Sequence, residues 1–215
     1  ALVDLGVNIK DIRKALKNID IGGYKLEAKK VKRNGLSCTQ IQIKLENKKS
    51  HHIHRSFSNI KKLIEKSELP QKIKKNSIKI FERIANVEAG IHSSPVEKVH
   101  FHEVGGVDSI VDIVGGVWAI ESLKLDKIYS SPLNVGEGFV DCAHGRLPVP
   151  APATLKLLKG IPIFSSGVKT ELATPTGVAM ISFYAEKFQS MPSMTIAEDG
   201  SGAGSRIISS IPNLL

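Results

Sequence analysis

The residues best suited to chemistry concentrate in one stretch, HFHEVGGVDSIVDIVGG, running from His100 to Gly116. Alternate side chains of an extended segment share a face, so His100 and His102 project together with Glu103 directly behind them. Two imidazoles so placed can reach one transition-metal ion. A helix predicted from Gly106 to Leu123 puts Asp108 and Asp112 four residues apart on one face. Asp108 also suits a helix N-terminus, where free amides and the dipole favour a carboxylate. Asp112 stands among Ile110, Val111, Ile113 and Val114, which predicts a buried carboxylate needing either a cation or a Lys or Arg partner. His102, Glu103, Asp108 and Asp112 are therefore candidate catalytic groups, with His100 and His102 as candidate metal ligands. The plainer alternative is a set of hydrogen-bonded histidines and a structural ion pair.

A second histidine group, His51, His52 and His54, places three imidazoles within four positions. Imidazole suits nickel, zinc, copper and iron, so this run reads as a metal-collecting loop, or else as an exposed loop with no role. Three further elements are shaped for anions. His144, Gly145 and Arg146 precede a proline-rich turn, HGRLPVPAPAT. Thr174, Pro175, Thr176 and Gly177 open a helix, whose free amides attract anions. In DGSGAGSR, Gly200, Gly202 and Gly204 permit close backbone approach beside Arg206. That segment is neither a Walker loop nor GxGxxG. The candidate cofactor-binding residues are thus His144, Arg146, Thr174, Thr176, Gly177, Gly202 and Gly204.

These groups need elements to position them. A helix is predicted over residues 8 to 19, with Ile9, Ile12, Leu16 and Ile19 on one face. Alternating stretches from Tyr24 to Lys32 and from Ser37 to Leu45 meet at Asn34 and Gly35, a strong hairpin signal. Helices are expected from about Asn59 to Lys66 and from Gln71 to Ile91, the second with Ile73, Ile80, Phe81, Ile84 and Val87 on one stripe. After a short strand VHFH and the Gly106 helix come strands at Lys127 to Ser131 and Leu133 to Gly136. Pro150 and Pro152 suit the start of a helix to Leu158, capped by Gly160. Thr174 and Pro175 begin a helix through Lys187, and the final glycines form a loop. The pattern predicts an α/β (α+β) protein, a mixed sheet flanked by helices. Its core spans residues 1–50 and 99–215, with a helical subdomain inserted at 51–98. The opening ALVDLG reads as the end of a helix closed by Gly6, so a further element is expected before Ala1.

Composition narrows the function classes. With 41% hydrophobic and 24% charged residues in 215, the chain has ordinary globular usage and is not disordered. The longest apolar run, Ile110 to Ile120, is interrupted by Asp112 and glycines and is too short to span a membrane. Cys38 and Cys142 lie far apart without a CxxC pattern, which fits a reducing cytoplasm; Cys142 receives no role. Residues 1–83 carry 21 Lys/Arg against 8 Asp/Glu, and residues 84–215 carry 9 against 13, giving +13 and −4. The basic excess falls on solvent-facing helix positions without aromatic interleaving, so no nucleic-acid partner is predicted.

Taken in order, HFHEVGGVDSIVDIVG, SPLNVGEGFVDCAHGRLPVPAPATLKLLKG, ELATPTGVAMI and MPSMTIAEDGSGAG resemble the LarC family of nickel insertion proteins, over essentially the whole chain. The resemblance implies a nickel chelatase that places Ni(II) into pyridinium-3,5-bisthiocarboxylic acid mononucleotide, forming nickel–carbon and nickel–sulfur bonds. It further implies CTP hydrolysis with a Mn or Mg ion and a nickel-pincer product delivered to apo lactate racemase. Family members have a strand and an SGISGDM-like segment before the position of Ala1. They also have a domain after that of Leu215, linked to nucleotide binding and homo-oligomer formation. On this reading His51, His52 and His54 collect nickel, while the His100, His102, Glu103 and Asp108 group holds metal or removes the ring proton. The helix start at Thr174 and the glycine loop hold the substrate phosphate. Two other readings stay open: a metal-dependent phosphohydrolase or nucleotide-binding enzyme using Mg or Mn, and a non-catalytic nickel carrier.

Overall fold

The computed structural model describes residues 1–46, 55–99, 101, 104–142, 144–208 and 211–215. Asn8 opens helix α1 (Ile9–Leu16), its side chain accepting from the Lys10 N–H at 2.9 Å. Ile12, Ala15 and Leu16 turn inward. The hairpin follows as β1 (Tyr24–Arg33) and β2 (Leu36–Leu45), antiparallel from Tyr24 opposite Leu45 to Arg33 opposite Leu36. Asn34 and Gly35 take φ of 46° and 85°, the left-handed pair that a two-residue hairpin turn requires. Next come α2 (Phe57–Lys66), capped by Ser56, and α3 (Gln71–His92), which buries Ile73, Ile80, Phe81, Ile84, Ala85 and Ala89 on one stripe.

Helix α4 (Val107–Ser122) is the hydrophobic centre. Val107, Ile110, Val111, Ile113, Val114 and Val117 are each at most 2% exposed. Beyond it lie β3 (Tyr129–Ser130), β4 (Leu133–Asn134), β5 (Phe139–Cys142), β6 (Gly145–Pro148), α5 (Pro152–Leu157), β7 (Ile163–Phe164), α6 (Pro175–Tyr184) and β8 (Lys187–Phe188). Helices α1, α3 and α6 pack on α4, and α2 and α3 contribute to the same buried cluster as α4, α5 and α6. The far end of α4 is tied down by Glu121. Its carboxylate accepts from Asn76 of α3 at 2.6 Å and from the Tyr184 hydroxyl of α6 at 3.1 Å, and Lys72 lies 2.6 Å away.

The α/β class predicted from sequence is the observed one. Among the described residues the strands form four two-stranded pieces: β1–β2 and β5–β6 antiparallel, β3–β8 and β4–β7 parallel. Three local expectations change. The β5–β6 hairpin spans Phe139–Pro148, where the sequence reading places no strands and begins a proline-punctuated turn at His144, while α5 begins at Pro152 with proline in its first turn as expected. Helix α6 stops at Tyr184, and Lys187 and Phe188 pair with β3 instead of extending it. The terminal glycines do not form an open loop, for a sheet edge leaves backbone groups to be paired. Thr39 of β2 donates its N–H to Ser201 O and accepts from the Ala203 N–H, both at 3.0 Å. Asp4 clamps this junction, accepting from Lys30, from the Thr39 hydroxyl and from the Ser201 N–H.

Phe81 and Phe101, both fully buried, meet with ring centroids 6.1 Å apart and planes tilted by 52°. Phe101 is thus the apolar anchor of the segment between His100 and His102. Phe101→Ala is expected to cost about 3–5 kcal/mol. Denaturant unfolding should show a lower midpoint with an unchanged slope, whereas an unmoved midpoint would remove Phe101 from the core's support of that segment.

Candidate functional site

Helix α4 begins after Gly106, with Asp108 in its first turn. Asp108 Oδ1 accepts from the Ser109 N–H at 2.9 Å, so it serves the helix N-terminus as its position predicts. Asp112 stands one turn further on, and here the structure corrects the sequence reading. Both aspartates are solvent-exposed, because α4 buries the residues around Asp112 but turns this narrow strip outward. No Lys or Arg lies within ion-pair distance of Asp112 among the described residues. Although the residue is exposed, its carboxylate is crowded by protein atoms. That desolvation, with the like charge of Asp108 adding to it, pushes the Asp112 pKa up to about 6. It is a carboxylate that changes charge close to neutral pH.

His100, His102, Glu103, His51, His52 and His54 lie outside the described residues. Their flanking residues are described, and they meet. The Phe57 N–H donates to Val99 O at 3.2 Å. A Cβ at Gly105 would stand 3.1 Å from both the N and the O of Arg55 and 2.9 Å from Phe101 O, so only glycine lets these backbones close. The chain leaving the first histidine run is therefore fastened to the chain on both sides of the second.

The sequence reading passed over Glu88 and His92. They lie one turn apart in the last turns of α3, where Glu-x-x-x-His spacing puts both on one face. His92 Nε2 lies 3.4 Å from a Glu88 carboxylate oxygen. The His144 ring, in the connection between β5 and β6, stands 5.0 Å from that of His92, centroid to centroid, with a tilt of 39°. The helical spacing was legible, but the approach of His144 is a tertiary contact that no local pattern signals.

The other sequence-predicted residues scatter. The Arg146 guanidinium sits 4.8 Å over the Phe139 ring centroid. Thr174 caps α6, its hydroxyl accepting from the Gly177 N–H at 3.3 Å, with Thr176 between them. Gly202 exchanges N–H···O bonds with Leu215 at 2.9 Å, and Gly204 O accepts from Arg33 and Gln40 at 3.0 Å. Arg206 binds the Thr170 hydroxyl and Glu171 O at 3.3 and 3.2 Å. The glycine segment thus spends its polar groups on strand-like pairing and offers no phosphate cradle. Among the described residues no three His, Cys, Asp or Glu side chains converge on one ion position. A cavity of about 690 Å³ lies between α1 and the foot of the β1–β2 hairpin and includes neither Asp108 nor Asp112 in its lining. The candidate site is defined by its titratable groups, not by cavity size.

Residues 1–215 match the family profile described as nickel insertion protein. A pyridinium-3,5-bisthiocarboxylic acid mononucleotide nickel insertion protein of Desulfitobacterium hafniense is 45% identical over 216 residues, covering 100% of this chain and 52% of the relative. Proteins of the same name from Geobacillus kaustophilus and Acetivibrio thermocellus are 44% and 43% identical, covering 100% and 96% of this chain and 54% and 53% of theirs. The chain spans about half the length of these relatives. No solved structure matches it.

The raised pKa of Asp112 has a sign that can be measured. The folded state binds the proton more tightly than the unfolded state, so stability falls as pH rises from about 4 to about 6, and the cost is fully present above that window. Asp112→Asn is therefore expected to unfold at a higher temperature than wild type at pH 7.5, with a flatter stability profile between pH 4 and 6. Carboxyl NMR should place the Asp112 midpoint near 6 and move it down in Asp108→Asn. An Asp112→Asn protein that melts earlier at pH 7.5 would mean that Asp112 is held by a cationic partner.

Proposed function

This chain belongs to the nickel insertion protein family, and from that premise we propose that it takes part in inserting Ni(II) into pyridinium-3,5-bisthiocarboxylic acid mononucleotide. The observation that carries this reading is the match of all 215 residues to the family profile. Relatives bearing the name of this mononucleotide supply the substrate.

The reaction brings a cation to a ring carbon flanked by two thiocarboxylates and releases the proton that carbon carries. It needs a place to hold nickel and a base. Asp112, titrating near 6, is matched to accept a proton around neutral pH, since a general base works best with a pKa near the operating pH. Asp108, one turn away, supplies a second negative charge toward which nickel is drawn. His100, His102 and Glu103 adjoin this helix start in sequence and serve as ligands and as a second candidate base. His51, His52 and His54 collect the ion. The cap at Thr174 and the first amides of α6 are the anion-binding element proposed for the mononucleotide phosphate, with Thr176 beside them.

CTP with Mn or Mg, homo-oligomer formation, a cytoplasmic setting and transfer of the product to apo lactate racemase belong to the proposal for the full-length protein. The described residues fit a nucleotide triphosphate poorly, because the Gly202 N–H is already spent on Leu215. No step is assigned to CTP within this chain.

The test uses full-length protein with nickel, CTP and the dithiolated mononucleotide, and reads nickel incorporation and activation of apo lactate racemase. Asp112→Asn is expected to slow insertion by about 10²–10⁴-fold, and His102→Ala to abolish it, with CTP binding retained in both. A stable Asp112→Asn protein inserting nickel at the normal rate would remove Asp112 as the base. Phosphate release that depends on Mg or Mn and is indifferent to nickel would favour the phosphohydrolase reading instead.

A further inference from the structure

The cavity of about 690 Å³ between α1 and the foot of the β1–β2 hairpin has no part in the chemistry proposed above. Its volume falls within the range of small-molecule pockets, and every residue lining it belongs to the described part of the chain. We propose that this cavity binds an aromatic compound carrying a single phosphate, of the nucleoside monophosphate class, with Arg13 and Lys17 on the phosphate and Tyr24 beside the ring.

Arg13 is the anchor. Its Nε donates to Leu26 O at 2.7 Å, which ties the last turn of α1 to β1 and fixes the plane of the guanidinium. Its two terminal nitrogens make no hydrogen bond or ion pair among the described residues. A guanidinium held by its Nε presents those nitrogens as a fork, the arrangement that engages two phosphate oxygens at once. Lys17 lies one turn beyond Arg13 at the C-cap of α1, exposed and without a carboxylate within ion-pair distance among the described residues. Lys25 lines the cavity from β1. Of the three carboxylates in the lining, Glu27 is already answered by Lys44 at 2.9 Å and Lys29 at 3.4 Å, neither of which lines the cavity. Asp20 and Glu46 remain against three cations, which leaves a positive excess and supplies acceptors for the hydroxyls of a sugar.

Tyr24 and the core behind it suit the ring. Leu16, Ile19, Ile21 and Leu26 are at most 6% exposed and close the inner wall. Tyr24 packs half-buried against the same core, and its hydroxyl makes no hydrogen bond among the described residues. Burial pushes that phenol above its ordinary pKa, so it stays a neutral donor. An aromatic face with an unused hydroxyl can both stack on a planar ligand and orient it. A site for a bare anion would need only the cations, and a site for an apolar ligand would exclude them. Their juxtaposition selects a ligand that has both parts.

The test titrates the full-length protein at neutral pH with cytidine monophosphate, with pyridinium-3,5-bisthiocarboxylic acid mononucleotide and with inorganic phosphate. At least one of the two nucleotides should bind, with one equivalent weakened about 10-fold in Arg13→Gln and in Lys17→Gln and about 3-fold in Tyr24→Phe. Inorganic phosphate should bind roughly 10-fold more weakly, because it gains nothing from the ring wall. The NMR signals of the Tyr24 ring should shift on binding. Binding of the pyridinium compound makes the cavity a substrate pocket, and binding of cytidine monophosphate alone makes it an effector pocket. Lys17→Gln and Tyr24→Phe decide the matter if Arg13→Gln fails to fold, which circular dichroism would reveal. Absence of binding, or binding that ignores Lys17→Gln and Tyr24→Phe, overturns the site, as does phosphate alone binding as tightly as either nucleotide. The function proposed above is read by nickel incorporation in the wild-type protein and stands or falls separately.

Discussion

A helix that is apolar on nearly every side has to be enclosed, and α4 imposes that requirement on the rest of the fold. Each of its fully buried Val and Ile side chains contributes roughly 1.5–3 kcal/mol relative to exposure, so α4 cannot be partly uncovered without losing much of the domain's stability. Helices α1, α3 and α6 close around it, and the Glu121 contacts to Lys72, Asn76 and Tyr184 fix its far end. What remains free is the strip carrying Asp108 and Asp112. Their direction is set by the packing of every other face of the helix, which is how a hydrophobic constraint positions two charges.

The same enclosure explains why the candidate groups sit at the ends of elements. Within α4 a buried charge would need a partner, and the structure supplies none for Asp112 among the described residues, so the carboxylate is found where water still reaches it. The last turn of α3, the connection from β5 to β6 and the first turn of α6 are likewise places where backbone ends meet solvent and polar side chains cost little. Phe101 is the exception that proves useful. It is buried against Phe81 in the middle of a polar segment, so the histidines on either side are covalently tethered to a fixed point.

Much of this was legible in the sequence because it is local. Asn34 and Gly35 specify a hairpin turn, the Ile73 to Ile84 spacing specifies the face of α3, and Thr174 followed by Pro175 specifies a helix start. The failures share a physical origin. Asp112 was expected to be buried because its four nearest sequence neighbours are apolar, yet a helix rotates 100° per residue and a single strip can escape a core that takes all the others. The terminal glycines read as a ligand loop because nothing in their own sequence shows that Thr39 lies alongside with unpaired backbone groups. Glu88 and His92 went unread because one helical pair carries no meaning until His144, more than fifty positions later, arrives beside it.

Asp108 and Asp112 share the exposed strip of α4 but not the same surroundings. Asp108 accepts a backbone N–H at the helix terminus, while Asp112 is pushed by desolvation and by its neighbour's charge toward protonation. A proton arriving at Asp112 therefore removes one of the two negative charges of that strip close to neutral pH, which a helix packed on its other faces tolerates without rearrangement.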